Sequence, residues 1–206
     1  MTMKNALLQP DIKLVAGLGN PGNKYSFTRH NAGFMAIDRF AARHGVEMEQ
    51  VNPDYELAEF SLKGRKIRLL KPLKFMNNSG LAVARIKKKY DLLPEEILLV
   101  SDDVYIPLGK IRIRKSGSDG GHRGLGSVIE EIESRNFPRV RFGIGPSDEG
   151  VLLEDFVLQD FRKVEEELLH RSLDKAVKLL DSIIYRGIDS AIGTYTVAKK
   201  DEIINS

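Results

Sequence analysis

Short apolar runs alternate along the chain with longer stretches in which apolar residues recur every three or four positions. The short runs predict buried strands, and the helical spacing predicts amphipathic helices. The predicted strands cover residues 13–18, 57–62, 66–70, 96–100, 109–115 and 139–145, with Gly64-Arg65 as the turn of a hairpin. The predicted helices cover 32–44, 125–135 and 162–186, and Asn78-Ser79 is expected to cap a further helix that runs through Tyr90. Because strands and helices interleave, the pattern predicts an α/β domain with a mixed β-sheet.

The ends of this pattern set the expected domain boundaries. They predict a polar leader at 1–12, a single domain at 13–193 and a polar C-terminal tail at 194–206, to which no role is assigned. Residues 148–160 contain Gly150 and an apolar run, and they fit either a lid over a cleft or a plain connector. In the last predicted helix, the positions expected to be buried include Val164, Leu168, Val177, Leu180 and Ile184.

Composition narrows the class of protein. The 206 residues are 42% hydrophobic and 30% charged, as in an ordinary globular domain, and the absence of cysteine excludes disulfides and thiolate metal sites. No apolar run reaches membrane-spanning length, and the N-terminus lacks the apolar core of a signal peptide, which favours a cytoplasmic location. A net charge of +3 and a pI near 9.0 permit an anionic partner without requiring one.

A glycine-rich segment follows the first predicted strand. Gly17-Leu18-Gly19-Asn20-Pro21-Gly22 matches the letters of a dinucleotide-binding turn. That motif requires a helix directly after the turn and an acidic residue at the end of the next strand. Here Pro21-Gly22-Asn23 interrupts the segment, and Asp38, at about the right distance, falls inside a predicted helix. The segment is therefore interpreted as a tight turn that presents Asn20, and a dinucleotide-dependent oxidoreductase is disfavoured.

The histidines and the aspartates after the fourth apolar run offer acid–base chemistry. The four histidines are His30, His44, His122 and His170. His44 and His170 lie on predicted helices among charges and are expected to be solvated. His30 lies in a loop before a helix, and Asp102 and Asp103 follow a strand, where α/β sheets place their sites. A carboxylate bonded to one imidazole nitrogen leaves the other free to take a proton from water, and either aspartate can supply it.

Two side-chain amides lie in the segment Phe75-Met76-Asn77-Asn78-Ser79-Gly80. If Asn78 caps a helix, Asn77 remains to donate and accept hydrogen bonds with an amide or ester substrate. No serine lies in a nucleophile-elbow pattern, and neither paired carboxylates nor a histidine-rich metal motif is present in the sequence. A hydrolase with this sequence would therefore activate water directly.

Arginines alternate with apolar residues in two predicted strands. Arg112 and Arg114 share one face of their strand, and Arg139 and Arg141 share one face of theirs. The glycine-rich loop 116–121 precedes a helix and can hold phosphate, and a lysine run at 87–89 adds positive charge. Each feature alone fits a solvated face, but together they favour a phosphate-rich partner. No aromatic-rich strand is present, which disfavours an RNA-recognition sheet.

Several segments of the chain together resemble bacterial peptidyl-tRNA hydrolases, and they occur in the order of that family. They are LVAGLGNPGNKYSFTRHNAGF (14–34), KPLKFMNNSG (71–80), LLVSDDVYIPLG (98–109), GGHRGL (120–125) and RVRFGIG (139–145). The resemblance implies a twisted, phosphorylase/hydrolase-like α/β fold, a monomer, and no metal or cofactor. It also implies cleavage of the ester between a peptide and the 3′ ribose of tRNA, so peptidyl-tRNA is the expected partner.

Position by position, the resemblance assigns roles to particular residues. His30 would be the catalytic base and Asp102 the acid that orients it, in preference to Asp103. The residues expected to contact the substrate are Asn20, Tyr25, Met76, Asn77 and Arg123. The residues expected to bind tRNA phosphate are Arg114 and Arg141.

Two positions depart from the family pattern. Arg123 stands where the family commonly has an asparagine thought to place water or substrate, and Ser101 replaces a frequent histidine. Because arginine cannot accept a hydrogen bond, Arg123 would instead contact tRNA phosphate or the peptide. The alternative to an enzyme is a binding module that keeps the basic surface without catalysis; His30 and Asp102 argue against it, whereas Arg123 leaves it open.

Overall fold

Seven strands form one mixed sheet in the computed structural model, which describes residues 11–147 and 149–195. Most of the predicted leader and tail lies outside the described residues. The strands are β1 (Leu14–Gly17), β2 (Glu49–Asn52), β3 (Tyr55–Leu62), β4 (Arg65–Pro72), β5 (Ile97–Pro107), β6 (Ile111–Arg114) and β7 (Arg139–Gly145). The helices are α1 (Ala32–Arg43), α2 (Ser79–Lys89), α3 (Arg123–Ile132), α4 (Leu153–Phe156) and α5 (Glu166–Arg186), and residues 188–195 are also helical.

The strand order is β2-β3-β4-β1-β5-β7-β6. The four inner strands β4, β1, β5 and β7 run parallel, and the outer strands pair antiparallel to their neighbours. The predicted α/β class with a mixed sheet is therefore confirmed. Strand β2 and helix α4 were missed, because both are only four residues long and carry little periodic signal. No helix in the described part of the chain is long and apolar enough to cross a membrane.

Helices cover both faces of the sheet. Alternate residues of β1 separate two buried clusters: Val15 belongs to the cluster with α1 and α5, whereas Leu14 and Ala16 belong to the cluster with α2 and α3. This division follows from strand geometry, because successive side chains point to opposite faces. Strand β1 and the first four residues of β5 are apolar on both faces, as expected for parallel strands covered on each side.

Strand β5 extends further than its neighbour β1. Strand β1 ends at Gly17, opposite Val100, while β5 continues to Pro107 and remains paired with β7. Strand β5 is thus longer than the predicted 96–100, and Asp102 lies within it rather than after it. Beyond Val100, β5 pairs with no strand on the β1 side in the described part of the chain, and Asp102 lies two residues past this point.

In the segment 14–34, glycines allow close packing between the first strand and the first helix. A methyl group on Gly33, at the start of α1, would lie 2.4 Å from the carbonyl oxygen of Leu18, and one on Gly17 would lie 2.4 Å from that of Gly33. Helix α1 therefore contacts the end of β1 backbone to backbone. Only Gly22, with φ of 98°, has a left-handed conformation in this segment, and it precedes a 3₁₀ turn at Asn23–Tyr25 rather than a helix. Of the predicted tight turn at 17–22, only the end at Gly22 has turn conformation.

Two details of the helix predictions were wrong. Val164 is 87% exposed because it lies in a 3₁₀ turn before α5, and Leu168 is 37% exposed in the first turn of that helix. The side chains of Asn78 and Ser79 do not cap α2. Instead, the N–H of Gly80 donates to Ser127 Oγ on α3 at 3.0 Å, where the two helices approach too closely for a side chain at position 80.

Candidate active site

A cleft of about 690 Å³ lies beyond the end of β1, beside the second half of β5. The candidate residues predicted from the sequence that line it are Asn20, Tyr25, His30, Met76, Asn77, Asp102, Asp103, Arg123 and Arg141, and His122 lines it as well. Arg114 is not among the lining residues; it is exposed, and its Nη1 donates to the carbonyl of Ile113 at 3.0 Å. The fold thus brings together side chains from five separate stretches of the sequence.

His30 and Asp102 are in direct contact at the floor of the cleft. His30 lies in a 3₁₀ turn that leads into α1, and its Nδ1 is 2.8 Å from Asp102 Oδ1. Asp103 also lines the cleft, but its carboxylate is directed to Arg141 rather than to His30, because neighbouring residues of a strand face opposite sides. Its carboxylate pairs with Arg141 at 2.9 Å and accepts a hydrogen bond from the Tyr105 N–H. Of the two aspartates that sequence reasoning left open, the geometry therefore brings Asp102 to His30.

A second histidine, His122, contacts the same carboxylate oxygen. Its Nε2 is 2.9 Å from Asp102 Oδ1, and its Nδ1 accepts hydrogen bonds from the N–H groups of Gly124 and Leu125 at the start of α3. Since Nδ1 accepts, the proton lies on Nε2, and His122 is a neutral donor to Asp102. The contact between His122 and Asp102 was not predicted from the sequence. The available signal was that His122 follows two glycines and precedes a predicted helix. The loop was interpreted only as a phosphate site.

The two histidines keep Asp102 ionised. Burial by itself would raise the pKa of this carboxyl, which is only 2% exposed, but its electrostatic interactions and hydrogen bonds with the N–H groups of His30 and His122 hold that pKa well below its usual range. The ligand atoms of the three residues lie within 4.8 Å of one another, close enough for a metal ion. However, the His122 nitrogen facing the carboxylate carries the proton, so this nitrogen is a donor and has no lone pair for a metal.

Asn20 is held in one orientation by its neighbours. Its Oδ1 accepts from the Met76 N–H at 2.8 Å, and its main chain exchanges two hydrogen bonds with the Asn31 side chain, at 2.8 and 3.0 Å. With Oδ1 occupied, the Nδ2 amide is the group that remains to donate to a ligand. Tyr25 packs edge to face on Phe75 at 6.3 Å and forms an aromatic wall of the cleft.

Arg123 reaches across the cleft to α4. Its Nη2 lies 3.0 Å from Glu154 Oε2, and the two side chains are 70% and 63% exposed. An ion pair this exposed contributes about 0–1 kcal/mol. Another anion could therefore replace the Glu154 carboxylate as the partner of Arg123 at little cost.

The arginines of β6 and β7 differ in accessibility. Arg112 and Arg114 are exposed and alternate with buried isoleucines, as predicted. Arg139 is buried, which contradicts its expected place on an open basic face. Its guanidinium donates to the carbonyl oxygens of Ser118 and Arg135, and burial together with the nearby Arg141 lowers its pKa to about 10. Arg139 therefore serves the packing of the loop before α3.

Residues from 152 to 158, within the predicted lid or connector at 148–160, form one wall of the cleft. Asp148, the first residue of that segment, lies outside the described residues. Leu152, Leu153 and Leu158 line the cleft and are partly exposed, whereas Phe156 is buried. The His30 N–H donates to the Val157 carbonyl at 2.8 Å. The wall is thus attached directly to the turn that carries His30.

The two remaining histidines lie away from the cleft. His170 is exposed, as expected. His44 is not solvated as predicted: its Nε2 contacts Asp181 at 2.9 Å, and its ring stacks on Phe60. The prediction failed because Asp181 lies on α5, and only the packing of α1 against α5 brings these residues together.

Comparison with known proteins places these observations in a family. A family model described as peptidyl-tRNA hydrolase matches residues 14–203. The chain belongs to the peptidyl-tRNA hydrolase family. It is 42% identical over 184 residues to the peptidyl-tRNA hydrolase of Elusimicrobium minutum, covering 89% of this chain and 98% of the relative. It is 43% identical over 183 residues to that of Fervidobacterium nodosum, covering 88% of this chain and 94% of the relative.

Solved structures agree with this assignment. The crystal structure of peptidyl-tRNA hydrolase from Acinetobacter baumannii superposes with a TM-score of 0.82 at 33% identity, covering 88% of this chain and 93% of that chain. A second structure is described as a complex of peptidyl-tRNA hydrolase with N-propanol and gives the same TM-score and identity. The predicted family and hydrolase class are therefore confirmed, and the family implies a tRNA substrate.

Proposed function

We propose that this chain hydrolyses the ester between a peptide and the 3′ ribose of tRNA, with water as the nucleophile and His30 as the general base. The observation that carries the mechanism is the 2.8 Å contact between His30 Nδ1 and the buried, ionised Asp102. Because Asp102 accepts a hydrogen bond from the protonated Nδ1 of His30, the Nε2 of His30 is left as a hydrogen-bond acceptor. An imidazole held in this tautomer can take a proton from water.

The reaction has two proton transfers. As water attacks the carbonyl carbon, one of its protons moves to His30 Nε2, and the carboxylate of Asp102 stabilises the imidazolium that forms. When the ester C–O bond breaks, His30 returns the proton to the 3′ oxygen of the ribose. The products are the peptide acid and tRNA with a free 3′ hydroxyl. General acid–base catalysis of this kind contributes about 10²–10⁴ in rate.

Asn20 and Asn77 supply the polar contacts to the reacting ester. The orientation of Asn20 is fixed by Met76 and Asn31, so its Nδ2 can donate to the developing oxyanion without reorganisation. Asn77 is exposed in the same cleft and can bind the peptide main chain. Tyr25 and the Met76 side chain offer apolar contacts to the peptide.

Arg141 and Arg114 are proposed to bind tRNA phosphates, and Arg123 a phosphate near the 3′ end. Arg141 lies in the cleft already paired with Asp103, and Arg123 is paired with Glu154, so a phosphate would replace a carboxylate at each. This exchange predicts that Glu154→Gln strengthens binding of tRNA, by removing the competing anion, and that Arg123→Gln weakens it. In a filter-binding assay, tighter tRNA binding by Glu154→Gln together with weaker binding by Arg123→Gln would support the exchange. A parental affinity for tRNA in both variants would contradict the role of Arg123.

We also propose that the chain acts as a monomer in the cytoplasm. All residues assigned to the mechanism come from one chain and meet in one cleft. The absence of cysteine suits a reducing compartment.

The decisive experiment measures release of free tRNA from an N-blocked aminoacyl-tRNA. The protein should catalyse this release, and His30→Ala should abolish it while still binding tRNA through its arginines. No turnover by the parent protein would favour the binding-module alternative. Turnover that survives in His30→Ala would refute His30 as the base.

A further inference from the structure

Arg29, the residue before the proposed base, is buried in a junction of four structural elements. Its side chain is 2% exposed. The guanidinium lies 4.5 Å from the ring centroid of Phe156 and 4.9 Å from that of Phe161. Its Nη2 donates to Glu165 Oε2 at 2.7 Å, and its Nη1 donates to the carbonyl oxygen of Ile144 at 3.4 Å. One side chain thus connects the His30 turn to the end of β7, the wall of the cleft and the entry to α5.

The main chain around Arg29 is bonded to the same wall. The Arg29 N–H donates to the Gln159 carbonyl at 2.9 Å, and the His30 N–H donates to the Val157 carbonyl at 2.8 Å. Leu158, between these two acceptors, lines the cleft. The position of the base and the position of the wall are therefore set by the same hydrogen bonds.

A buried arginine needs such partners, because an unpaired buried charge is strongly unfavourable. Its planar fork can donate in several fixed directions while its faces contact aromatic rings. The pairing also acts on Glu165, since burial would raise the pKa of this carboxyl and the Arg29 and Arg162 bonds lower it below its ordinary value. A lysine at position 29 could keep the bond to Glu165 but would lack the flat face and the second donor direction.

We propose that Arg29 is a positioning residue for catalysis, which holds the His30 turn in a fixed relation to the segment 156–161, whose Val157 and Leu158 belong to the cleft wall. It acts through His30 and the wall and does not touch the substrate. The proposal rests on the proposed function of His30 as the base. Because a displacement of 1 Å can lower a rate by about 10², a looser junction should reduce kcat more than it raises KM.

The test compares Arg29→Met and Arg29→Lys with a matched control, Arg39→Met. Arg39 pairs with Asp174 at 2.7 Å and also links α1 to α5, but it contacts neither the His30 turn nor the wall. With N-blocked aminoacyl-tRNA, well below the Tm of every variant, Arg29→Met should lower kcat at least about tenfold with KM changed less than about threefold. Arg29→Lys should recover part of kcat, and Arg39→Met should match the parent.

A second measurement does not depend on activity. Hydrogen exchange at the amides of Arg29 or its replacement and of His30 should accelerate at least about tenfold in Arg29→Met, and should be unchanged in Arg39→Met. Parental kcat in Arg29→Met, or an equal loss in Arg39→Met, would overturn the proposal. If the parent protein itself released no tRNA, the proposed function would fail instead, and unchanged exchange in Arg29→Met would separately overturn the structural part.

Discussion

Replacing Asp102 by asparagine removes one charge while keeping the shape of the side chain. The carboxylate oxygen lies 2.8 Å from His30 Nδ1, so the imidazolium formed during the reaction would lie beside a buried anion. For charges centred about 4 Å apart at an effective dielectric constant of about 20, the attraction is about 4 kcal/mol. That energy corresponds to roughly 10³ in rate. Because the amide oxygen can still accept the Nδ1 hydrogen bond, we expect a loss in kcat of about 10²–10³.

The matched control is Asp103→Asn, one residue further along β5. Asp103 is also buried but pairs with Arg141, which is proposed to bind phosphate. This variant should keep kcat within about threefold and change KM and its salt dependence. Single-turnover hydrolysis of N-acetylated aminoacyl-tRNA at saturating enzyme isolates the chemical step. A loss in Asp102→Asn below about threefold, or equal losses in both variants, would refute the orienting role of Asp102.

Acid stability depends on Asp102, whose pKa is below its usual range because the two histidines outweigh its burial. The stability contributed by ionised Asp102 is therefore present above the unfolded pKa near 4 and is lost as the pH falls toward the folded value. In urea unfolding below about pH 4, the free energy of unfolding of Asp102→Asn should change with pH less steeply than that of the parent protein, by about 1.4 kcal/mol per pH unit. Gly33→Ala should cost about 3 kcal/mol in urea unfolding, because its methyl group would lie 2.4 Å from a backbone oxygen, whereas Gly22→Ala, with open space but φ of 98°, should cost about 1 kcal/mol. Arg114→Gln should reduce the slope of log K against log salt for tRNA by about 0.7–0.9 without changing Tm, whereas the buried Arg139→Gln should lower Tm.

Each of these expectations has a result that contradicts it. If the free energy of unfolding of Asp102→Asn depended on pH as steeply as that of the parent protein below about pH 4, Asp102 would not be held ionised by the fold. Equal costs at Gly33 and Gly22 would contradict the close backbone contact of α1 with β1. A parental salt slope in Arg114→Gln would remove that residue from the tRNA interface.

Local sequence was enough for the parts of this protein that depend on neighbours along the chain. The apolar runs and the helical spacing predicted most strands and helices, because burial of one face imposes a period of two or 3.6 residues. The identity and order of the motifs also indicated the family. The resemblance singled out His30 and Asp102, and the fold places them in contact.

Only the tertiary structure decided which distant residues share a partner. Sequence spacing left Asp102 and Asp103 equivalent, and the register of β5 against β1 and β7 directed one to His30 and the other to Arg141. The same packing buried Arg139, paired His44 with Asp181 and brought His122 to Asp102. The glycines of the first segment look like a phosphate loop in sequence, yet contact between α1 and β1 determines their role. These contacts join residues far apart along the chain, so no local period encodes them.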